Sequence, residues 1–329
     1  MKELRCAIVG LGVIGRLHAE ILCKQGKHIV ALCDIDGTVA EEVREKLALD
    51  AAVYTDWEKM LSEIRPDVVH ICTPHYLHAQ MTIGALERGI NVLCEKPLCI
   101  SREELERVLC AEAKSDATLG VVHQNRFKQS NVFAKQYLSD KKILSAHASV
   151  VWQRTDEYYK SASWRGTIAQ EGGGVLINQA LHTLDLLQWM TRMPTHVSAI
   201  CGCLTLGDQI EVEDTASMRF FGDVPMTFFA TNSGGANMEV ELRFVLSGGH
   251  KITVRPDSVQ IDGELLDFHR TELADGGKAY YGNAHGMLIE RFYQCVALGE
   301  KFEIGGAEAA NVMRMILASY ESRGKSTEL

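Results

Sequence analysis

The chain of 329 residues is predicted to be an α/β protein with two domains, 1–122 and 123–329. Two observations predict this architecture. Up to about residue 122, strand-like and helix-like runs alternate, which is typical of βαβ units and a doubly wound parallel sheet. From about residue 145, strand-like runs follow one another with few helices between them, which indicates an α+β domain with a large, mostly antiparallel open sheet.

Composition narrows the class of protein before any motif is considered. The formal net charge of −9 argues against a nucleic-acid or anionic-membrane partner. No apolar run reaches the roughly 18 residues that a membrane-spanning helix needs, and the first residues lead directly into a strand-like run instead of a signal peptide. The ten cysteines lie mostly in apolar runs without metal-site spacing. We therefore expect reduced thiols, a cytoplasmic location and no bound metal.

The first strand, Cys6–Val9, is followed by the motif Gly10-Leu11-Gly12-Val13-Ile14-Gly15 and a helix to about Gln25. Between a strand and a helix, such glycines permit a tight turn and let backbone N–H groups approach a pyrophosphate at the helix N-terminus. On its own the motif could be a turn without function, but its context predicts a Rossmann dinucleotide-binding domain.

The second strand, Ile29–Cys33, is followed by Asp34 and Ile35. Ile35, like Val13 and Ile14 of the glycine motif, is expected to contact the cofactor. Asp34 lies 34 − 15 = 19 residues after Gly15, near the spacing of the acid that binds the cofactor ribose. A carboxylate there accepts hydrogen bonds from the 2′-hydroxyl of NAD and repels the 2′-phosphate of NADP. NAD is therefore the predicted cofactor and NADP the less favoured one.

The alternation continues through the rest of the first domain. Its predicted helices are Val39–Leu49, Trp57–Ile64, Ala79–Arg88 and one that opens at the capping box of Ser101, and its strands are Val68–Cys72, Asn91–Cys94 and Thr118–Val122. The strand Asn91–Cys94 stops at Glu95, Lys96 and Pro97, so it delivers a lysine to the rim of the sheet, where ligands bind. The alternative for this tripeptide alone is an ordinary surface lysine.

The second domain has strand-like runs and one informative helix. The runs are Ala146–Trp152, Val197–Leu206, Thr215–Phe221, Met226–Thr231, Val240–Leu246 and Lys251–Val254. After the triple glycine 172–174, a helix is predicted over Val175–Met190 that carries Asn178, His182 and Asp185 on one face. Such a polar trio is either a satisfied core network or a substrate-facing stripe. Two further helices are predicted, one ending at Leu298 and one over Ala307–Ser322. So few helices cannot cover both faces of the sheet, so the uncovered face is expected to form the interface of a homodimer or homotetramer.

Taken together, the motifs resemble those of the Gfo/Idh/MocA oxidoreductases, which include glucose–fructose oxidoreductase and inositol dehydrogenase. The resemblance covers essentially the whole chain, and its motifs are specific jointly. They are the glycine motif, Asp34, Thr73-Pro74, Glu95-Lys96-Pro97, Trp164-Arg165-Gly166, the triple glycine with Asn178 and His182, and Tyr281-Gly282-x-x-His285.

The resemblance implies site residues that the patterns alone do not indicate. It implies that Lys96 and His182 face the substrate beside the nicotinamide, with Asn178 and Tyr281 nearby. It implies that the cofactor is lined by Thr73, Pro74, His75, His78, Glu95, Trp164 and Arg165, and that the open sheet is used in oligomers. Many members carry Asp where this chain has Asn178 and Gly where it has Ala180, and this departure leaves the proton path open.

The expected reaction is hydride transfer between NAD and a secondary alcohol of a sugar, cyclitol or nucleotide-linked sugar. An imidazole has an ordinary pKa of about 6.5, so His182 is the predicted base. Lys96 stabilises the developing alkoxide. Asn178 cannot take a proton, so it orients a hydroxyl group or the imidazole. Two alternatives are an NAD-dependent glycosidase with transient oxidation and a non-catalytic dinucleotide-sensing regulator. The substrate, its stereochemistry and the direction of transfer are not determined by the sequence.

Overall fold

The computed structural model describes residues 3–207, 209–268 and 283–329, which form two compact units. The first unit comprises residues 3–124 and 283–310, and the second comprises residues 125–268 and 311–329. The sequence predicted a single boundary near residue 122. In the structure, the chain instead returns to the first unit for residues 283–310.

The first unit is built on a six-stranded parallel sheet of order β3-β2-β1-β4-β5-β6. Its strands are β1 (Arg5–Val9), β2 (His28–Cys33), β3 (Ala52–Tyr54), β4 (Val68–Ile71), β5 (Asn91–Cys94) and β6 (Leu119–Val121). This order is that of a dinucleotide-binding Rossmann sheet, whose ligands bind beyond the carboxyl ends of the strands where the order reverses, between β1 and β4. The predicted fold class is therefore confirmed. The three-residue β3 is too short to show in the sequence pattern.

Within the described ranges, six α-helices belong to the first unit, and the closing helix of the chain begins in it. They are α1 (Val13–Lys24), α2 (Gly37–Lys46), α3 (Trp57–Ile64), α4 (His75–Leu86), α5 (Arg102–Lys114) and, later in the chain, α10 (Ala284–Leu298). The predicted cap of α5 is present, because Ser101 Oγ accepts the N–H of Glu104 at 3.2 Å. The helix α4 begins at His75, earlier than predicted, directly after Pro74, and Pro74 is its N-cap.

The second unit is built on a nine-stranded sheet of order β14-β13-β12-β11-β7-β10-β9-β8-β15. Its strands are β7 (Ile143–Val151), β8 (His196–Gly202), β9 (Thr215–Phe221), β10 (Met226–Thr231), β11 (Glu241–Leu246), β12 (Lys251–Arg255), β13 (Ser258–Ile261), β14 (Glu264–Asp267) and β15 (Thr327–Glu328). All neighbours in this order are antiparallel except β7 and β10, which are parallel. The three strands β13, β14 and β15 were not predicted, because they are short and have little apolar alternation.

The second unit also contains helices. They include α6 (Gln129–Leu138), α7 (Asp156–Lys160), α8 (Ile168–Glu171), α9 (Leu181–Met190) and most of the closing helix α11 (Gly306–Ser322). α6, which the sequence did not predict, packs against β12 and β13, and α9 packs against β7. The predicted helix over Val175–Met190 is in fact a π-helical segment, Leu176–Ala180, that continues into α9.

The strands β9, β10 and β11 of the second sheet alternate between buried and more exposed side chains along most of their length. In β9 and β10, for example, Met218 and Phe228 are buried, while Phe221 and Phe229 are exposed by 45% and 37%. Strand geometry places alternate residues on opposite faces, so the exposed aromatic residues lie on the face away from the helices. Among the described helices, none is long and apolar enough to cross a membrane.

Candidate active site

The glycine motif forms the turn between β1 and α1. Gly10 has a φ of +84°, and a Cβ on it would lie 2.7 Å from the carbonyl carbon of Cys72. A Cβ on Gly15 would lie 1.8 Å from the carbonyl oxygen of Gly10. Nothing lies within 4 Å of the position a Cβ would take on Gly12, the residue that begins α1 as its N-cap. Two glycines therefore close the turn, and the third leaves the helix N-terminus open, which fits the pyrophosphate of a dinucleotide.

Asp34 is held beside this turn by its carboxylate. Its Oδ2 accepts the N–H of Leu11 at 2.7 Å, and its Oδ1 accepts the N–H of Asp36 at 3.1 Å. These bonds position the carboxylate at the end of β2, next to the glycine turn, where the ribose-binding acid of this fold lies. Val13 and Ile35, both predicted to contact the cofactor, are exposed by 79% and 93%, and Ile14 is half-buried.

The loops after β4 and β5 are joined by one imidazole. His78 Nε2 lies 2.8 Å from the carbonyl oxygen of Thr73, and its Nδ1 lies 2.7 Å from that of Pro97. Burial lowers the pKa of His78, and these two contacts oppose that effect. Pro74 and His75 begin α4 next to this clamp. His78 therefore links the loop that contains Lys96 with the loop that follows β4.

Lys96 lies two residues beyond the end of β5 and is half-buried. The preceding Glu95 is buried, and its Oε2 accepts the backbone N–H of Lys96 at 3.2 Å. The peptide bond between Lys96 and Pro97 is cis. Because the strands are parallel, their carboxyl ends meet at one edge of the sheet. The glycine motif, Asp34, the Thr73 loop and Lys96 are therefore brought to the same edge.

A buried row of polar groups that sequence reasoning missed stands behind Glu95. Glu95 Oε1 lies 3.1 Å from His18 Nε2, and His18 Nδ1 lies 2.9 Å from His70 Nδ1. His70 Nε2 in turn lies 3.0 Å from the hydroxyl of Tyr293, while His285 Nε2 lies 3.6 Å from Glu95 Oε1. The motifs had named Glu95 and His285, whereas His18 and His70 were signalled only by a histidine on an otherwise apolar face of α1 and another inside the apolar strand β4.

The charge state of this row follows from its burial and contacts. Burial by itself would raise the pKa of Glu95, but hydrogen bonds from His18 and His285 outweigh it, so that pKa lies well below the ordinary value. Burial, with the neighbouring His18, lowers the pKa of His70 well below 6.5, so His70 is neutral. An ionised carboxylate is thus held by two imidazoles next to Lys96.

Among the described residues, His18, Glu95 and His285 form a group whose side chains are of the types that bind metal ions. The ligand atoms of His18, Glu95 and His285 lie within 4.8 Å of one another. However, the separation of 3.1 Å between His18 Nε2 and Glu95 Oε1 is already that of a hydrogen bond between an imidazole and a carboxylate. We therefore describe the group as a hydrogen-bonded cluster of a carboxylate and imidazoles and assign it no metal.

In the second unit, the triple glycine lets one side chain and one backbone carbonyl group approach closely. A Cβ on Gly173 would lie 2.1 Å from the hydroxyl of Tyr320, and one on Gly174 would lie 1.8 Å from the carbonyl oxygen of Glu213. The Glu213 carboxylate accepts the N–H groups of Gly174 at 2.8 Å and Leu176 at 3.0 Å, and the Tyr320 hydroxyl at 3.0 Å. Burial raises the pKa of Glu213 to about 7, although these donors oppose the shift.

Asn178 lies in the π-helical segment, a type of helix that is often found at functional sites. It is half-buried, whereas the other residues of the segment are buried. Its Nδ2 donates to the hydroxyl of Tyr158 at 3.2 Å and to Glu171 Oε1. Glu171 is buried and also accepts the N–H of Gly166 at 2.5 Å. A carboxylate accepts but does not donate, so Glu171 determines the orientation of the Asn178 amide.

The polar trio that the sequence placed on one helix face divides into two parts. Asp185 forms a buried bidentate ion pair with Arg126, with Oδ2–Nε and Oδ1–Nη2 distances of 2.7 and 2.6 Å. His182 lies one turn after Asn178 in α9 and is exposed by 8%. Asp185 is thus part of the core network, the first of the two alternatives, and Asn178 with His182 remains the candidate site.

Trp164 and Arg165 join the Asn178 cluster through Tyr158. Arg165 Nη1 donates to the Tyr158 hydroxyl at 2.6 Å, and its guanidinium lies 4.6 Å from the ring centre of Trp164. Gln179 Nε2 donates to the same hydroxyl at 3.1 Å. Tyr158 therefore collects three N–H donors, a role that the Tyr-Tyr pair in the sequence did not reveal. The predicted substrate residue Tyr281 lies outside the described residues.

Comparison with known proteins identifies the family of both domains. Residues 4–123 match the family described as "Oxidoreductase family, NAD-binding Rossmann fold", and residues 142–251 match the "GFO/IDH/MocA C-terminal domain". The D-glucoside 3-dehydrogenase of Escherichia coli is 26% identical over 100% of this chain and 97% of its own length. The 2,7-anhydro-N-acetylneuraminate hydratase of Mediterraneibacter gnavus is 31% identical over 80% of this chain and 70% of its own.

Among solved structures, the WlbA dehydrogenase of Bordetella pertussis in complex with NADH and UDP-GlcNAcA has a TM-score of 0.87 and 25% identity, covering 100% of this chain and 99% of its own. Fold, glycine turn and relatives together define an NAD-dependent dehydrogenase or reductase that acts on CH–OH groups. The chain belongs to the Gfo/Idh/MocA oxidoreductases.

Proposed function

We propose that the protein transfers a hydride between NAD and a secondary alcohol of a sugar, cyclitol or nucleotide-linked sugar, with Lys96, His182 and Asn178 as the catalytic residues. The observation that carries the proposal is Lys96, half-buried at the carboxyl edge of the NAD-binding sheet and anchored through Glu95. Sugar and inositol dehydrogenases among the relatives support the substrate class. NAD, when bound, supplies the hydride acceptor.

The proposed roles follow from what each side chain can do to a hydroxyl group. His182 takes the hydroxyl proton as general base. The Lys96 ammonium donates a hydrogen bond and stabilises the negative charge that develops on the substrate oxygen. Asn178 has its amide orientation fixed by Glu171 and Tyr158, so it orients a hydroxyl and takes no proton. In the reduction direction, Lys96 or His182 supplies the proton instead.

Proposed cofactor contacts complete the site. They are the glycine turn with Val13 and Ile14, Asp34 with Ile35, Thr73, Pro74, His75, His78, Glu95, Lys96, Trp164 and Arg165. The first unit supports most of them, because its glycine turn, Asp34 and the loops after β4 and β5 share one edge of a parallel sheet.

A second candidate is a reaction without net redox change, in which the substrate is oxidised and then reduced again within one cycle. One relative, 31% identical to this chain, is named a hydratase. Because hydration involves no net redox change, this relative supports the second candidate. A non-catalytic dinucleotide-sensing regulator is the third candidate, and the presence of both Lys96 and His182 argues against it.

Net NADH production separates these functions. The purified protein is incubated with NAD and a panel of sugars, cyclitols and nucleotide sugars, while NADH absorbance and substrate loss are followed together. Substrate loss with stoichiometric NADH supports the dehydrogenase. Substrate loss without NADH indicates the internal redox cycle, and cofactor binding without any substrate loss indicates the regulator. Mass spectrometry of small molecules retained by the purified protein guides the choice of panel.

A further inference from the structure

Two arginines in the second unit alternate with three aromatic rings. The Arg154 guanidinium carbon lies 4.9 Å from the ring centre of Trp152 and 5.2 Å from that of Tyr158. The Arg165 guanidinium carbon lies 4.5 Å from the ring centre of Tyr158 and 4.6 Å from that of Trp164. Stacking of this kind uses the flat faces of a guanidinium, so the N–H groups on its edge stay available for hydrogen bonds.

Neither arginine has a negative partner within the described residues. No ion pair among residues 3–207, 209–268 and 283–329 includes Arg154 or Arg165. Their side-chain bonds go to neutral oxygens: Arg154 Nη1 donates to the carbonyl oxygen of Gln153 at 2.8 Å, and Arg165 Nη1 donates to the Tyr158 hydroxyl. Within the described part of the chain, the Nε atoms of both arginines are buried without a hydrogen-bond partner.

The acids nearest to these arginines in the sequence are engaged elsewhere. Asp156 forms an ion pair with Lys160, and Glu171 accepts from Gly166 and Asn178. A guanidinium that is stacked on aromatic rings and has no carboxylate partner keeps its positive charge available to an anionic ligand. A carboxylate or phosphate group matches the planar edge of a guanidinium.

We propose that Arg154 binds an anionic group of the substrate, so that the protein acts on acidic sugars in preference to neutral ones. This inference rests on the proposed function, because it names the substrate class of the same site. Tyr158 connects Arg154 to that site: its ring lies beside the Arg154 guanidinium, and its hydroxyl accepts from Asn178, the residue that orients the reacting hydroxyl. An acid group held by Arg154 thereby positions the sugar relative to Asn178.

The diphosphate of the cofactor is the other source of an anion. Its expected place is the open turn at Gly12 in the first unit, where helix N–H groups already provide donors. Arg165 was predicted to line the cofactor, whereas nothing in the motifs assigns Arg154 to it. Arg154 therefore separates the two sources.

The test measures direct binding and needs no turnover. Calorimetry on the NADH-loaded protein compares D-glucuronate with D-glucose, which differ by a carboxylate at one carbon. A charge-assisted bidentate bond predicts at least about tenfold tighter binding of glucuronate. Arg154→Gln should remove most of that preference, and Arg154→Lys should restore part of it, because lysine keeps the charge but not the planar fork. Arg323→Gln, at an exposed arginine, is the matched control and should keep the preference.

Each result decides the question. Failure of glucuronate to bind more tightly than glucose overturns the proposal, as does a preference that persists in Arg154→Gln. NADH affinity is titrated in the same variants: if Arg154→Gln weakens NADH binding more than glucuronate binding, the anion is the diphosphate of the cofactor and the proposal is wrong. An Arg154-dependent preference in a protein that neither oxidises nor reduces any sugar would refute the proposed function and support only the anion-binding role of Arg154.

Discussion

The amide of Asn178 makes the most specific prediction, because its nitrogen faces a buried carboxylate. Asn178→Asp replaces that nitrogen with an oxygen and sets a second carboxyl group against Glu171. Two carboxylates about 3 Å apart repel each other by about 5 kcal/mol at an effective dielectric constant of about 20. The pair therefore retains one proton well above the usual carboxyl range instead of ionising fully.

The loss of stability in Asn178→Asp has two causes: a hydrogen bond is lost, and the new pair of carboxyl groups must keep a proton. The charge-assisted hydrogen bond contributes about 1.5–3 kcal/mol, so the free energy of unfolding should fall by about 2–4 kcal/mol at about pH 8. A folded-state pKa that is raised above its unfolded value contributes stability that is fully present at low pH and is lost as pH rises through it. The deficit of Asn178→Asp should therefore be largest at about pH 8 and smaller at about pH 5.

Urea unfolding of wild type and variants at both pH values measures this effect. The matched control is the swap Asn178→Asp with Glu171→Gln, in which the new glutamine can donate to the new carboxylate at position 178 and accept from Gly166. We expect the swap to recover at least half of the loss, as a favourable coupling between the two sites. If Asn178→Asp is as stable as wild type at about pH 8, or if the swap is no better than the single variant, the orientation assigned to Asn178 is wrong.

Four further predictions concern other parts of the molecule. Lys96→Ala should lower kcat by about 10²–10³-fold and His182→Ala by about 10²–10⁴-fold, while both variants stay folded. The double variant should lose less activity than the product of the two single losses. Near-wild-type turnover in both single variants would refute the proposed site. Calorimetry should show at least about tenfold tighter binding of NAD than NADP because of the Asp34 carboxylate, and equal affinities would contradict its ribose-facing role. Light scattering at micromolar concentration should give a dimer or tetramer, because the sheet face with Phe221 and Phe229 exposes apolar surface, and a monomeric mass would exclude this. Burial raises the pKa of Glu213 from 4.5 to about 7, so the protonated side chain contributes stability that is fully present below about pH 4.5 and is lost as pH rises through about 7. Relative to Glu213→Gln, the free energy of unfolding of the wild type should fall by about 3 kcal/mol between these two pH values. Parallel pH profiles of the two proteins would contradict this prediction.

The parallel sheet and its cofactor end could be predicted because their signals are local. β5 and α3 have the predicted bounds, and the glycine turn needs no side chain other than hydrogen to close. Buried parallel strands are short continuous apolar runs, and the residues that follow them reach one edge of the sheet. A chain read in order therefore reveals both the fold and the position of Lys96.

The second sheet was harder to predict for a physical reason. Strands such as β13 and β14 are short, and β14 is exposed along its whole length, so their pairing depends on neighbouring strands and not on their own apolar pattern. The π-helical segment was missed for a similar reason. Helical periodicity does not distinguish it from an α-helix, and the fixed points that accompany it, Glu213 and Tyr320, come from distant parts of the chain.

The sequence by itself determined the fold class and the NAD turn through local patterns, and its motifs taken jointly predicted the candidate residues Lys96, Asn178 and His182. Only the tertiary structure decided what those residues contact. It paired Asp185 with Arg126 in the core, set Glu171 and Tyr158 against Asn178, and placed His18, His70 and His285 behind Glu95. Along the hydrogen bonds, these partners range from 7 residues apart for Glu171 and Asn178 to 77 residues apart for His18 and Glu95. Burial and charge pairing at such separations depend on packing, which no local pattern encodes.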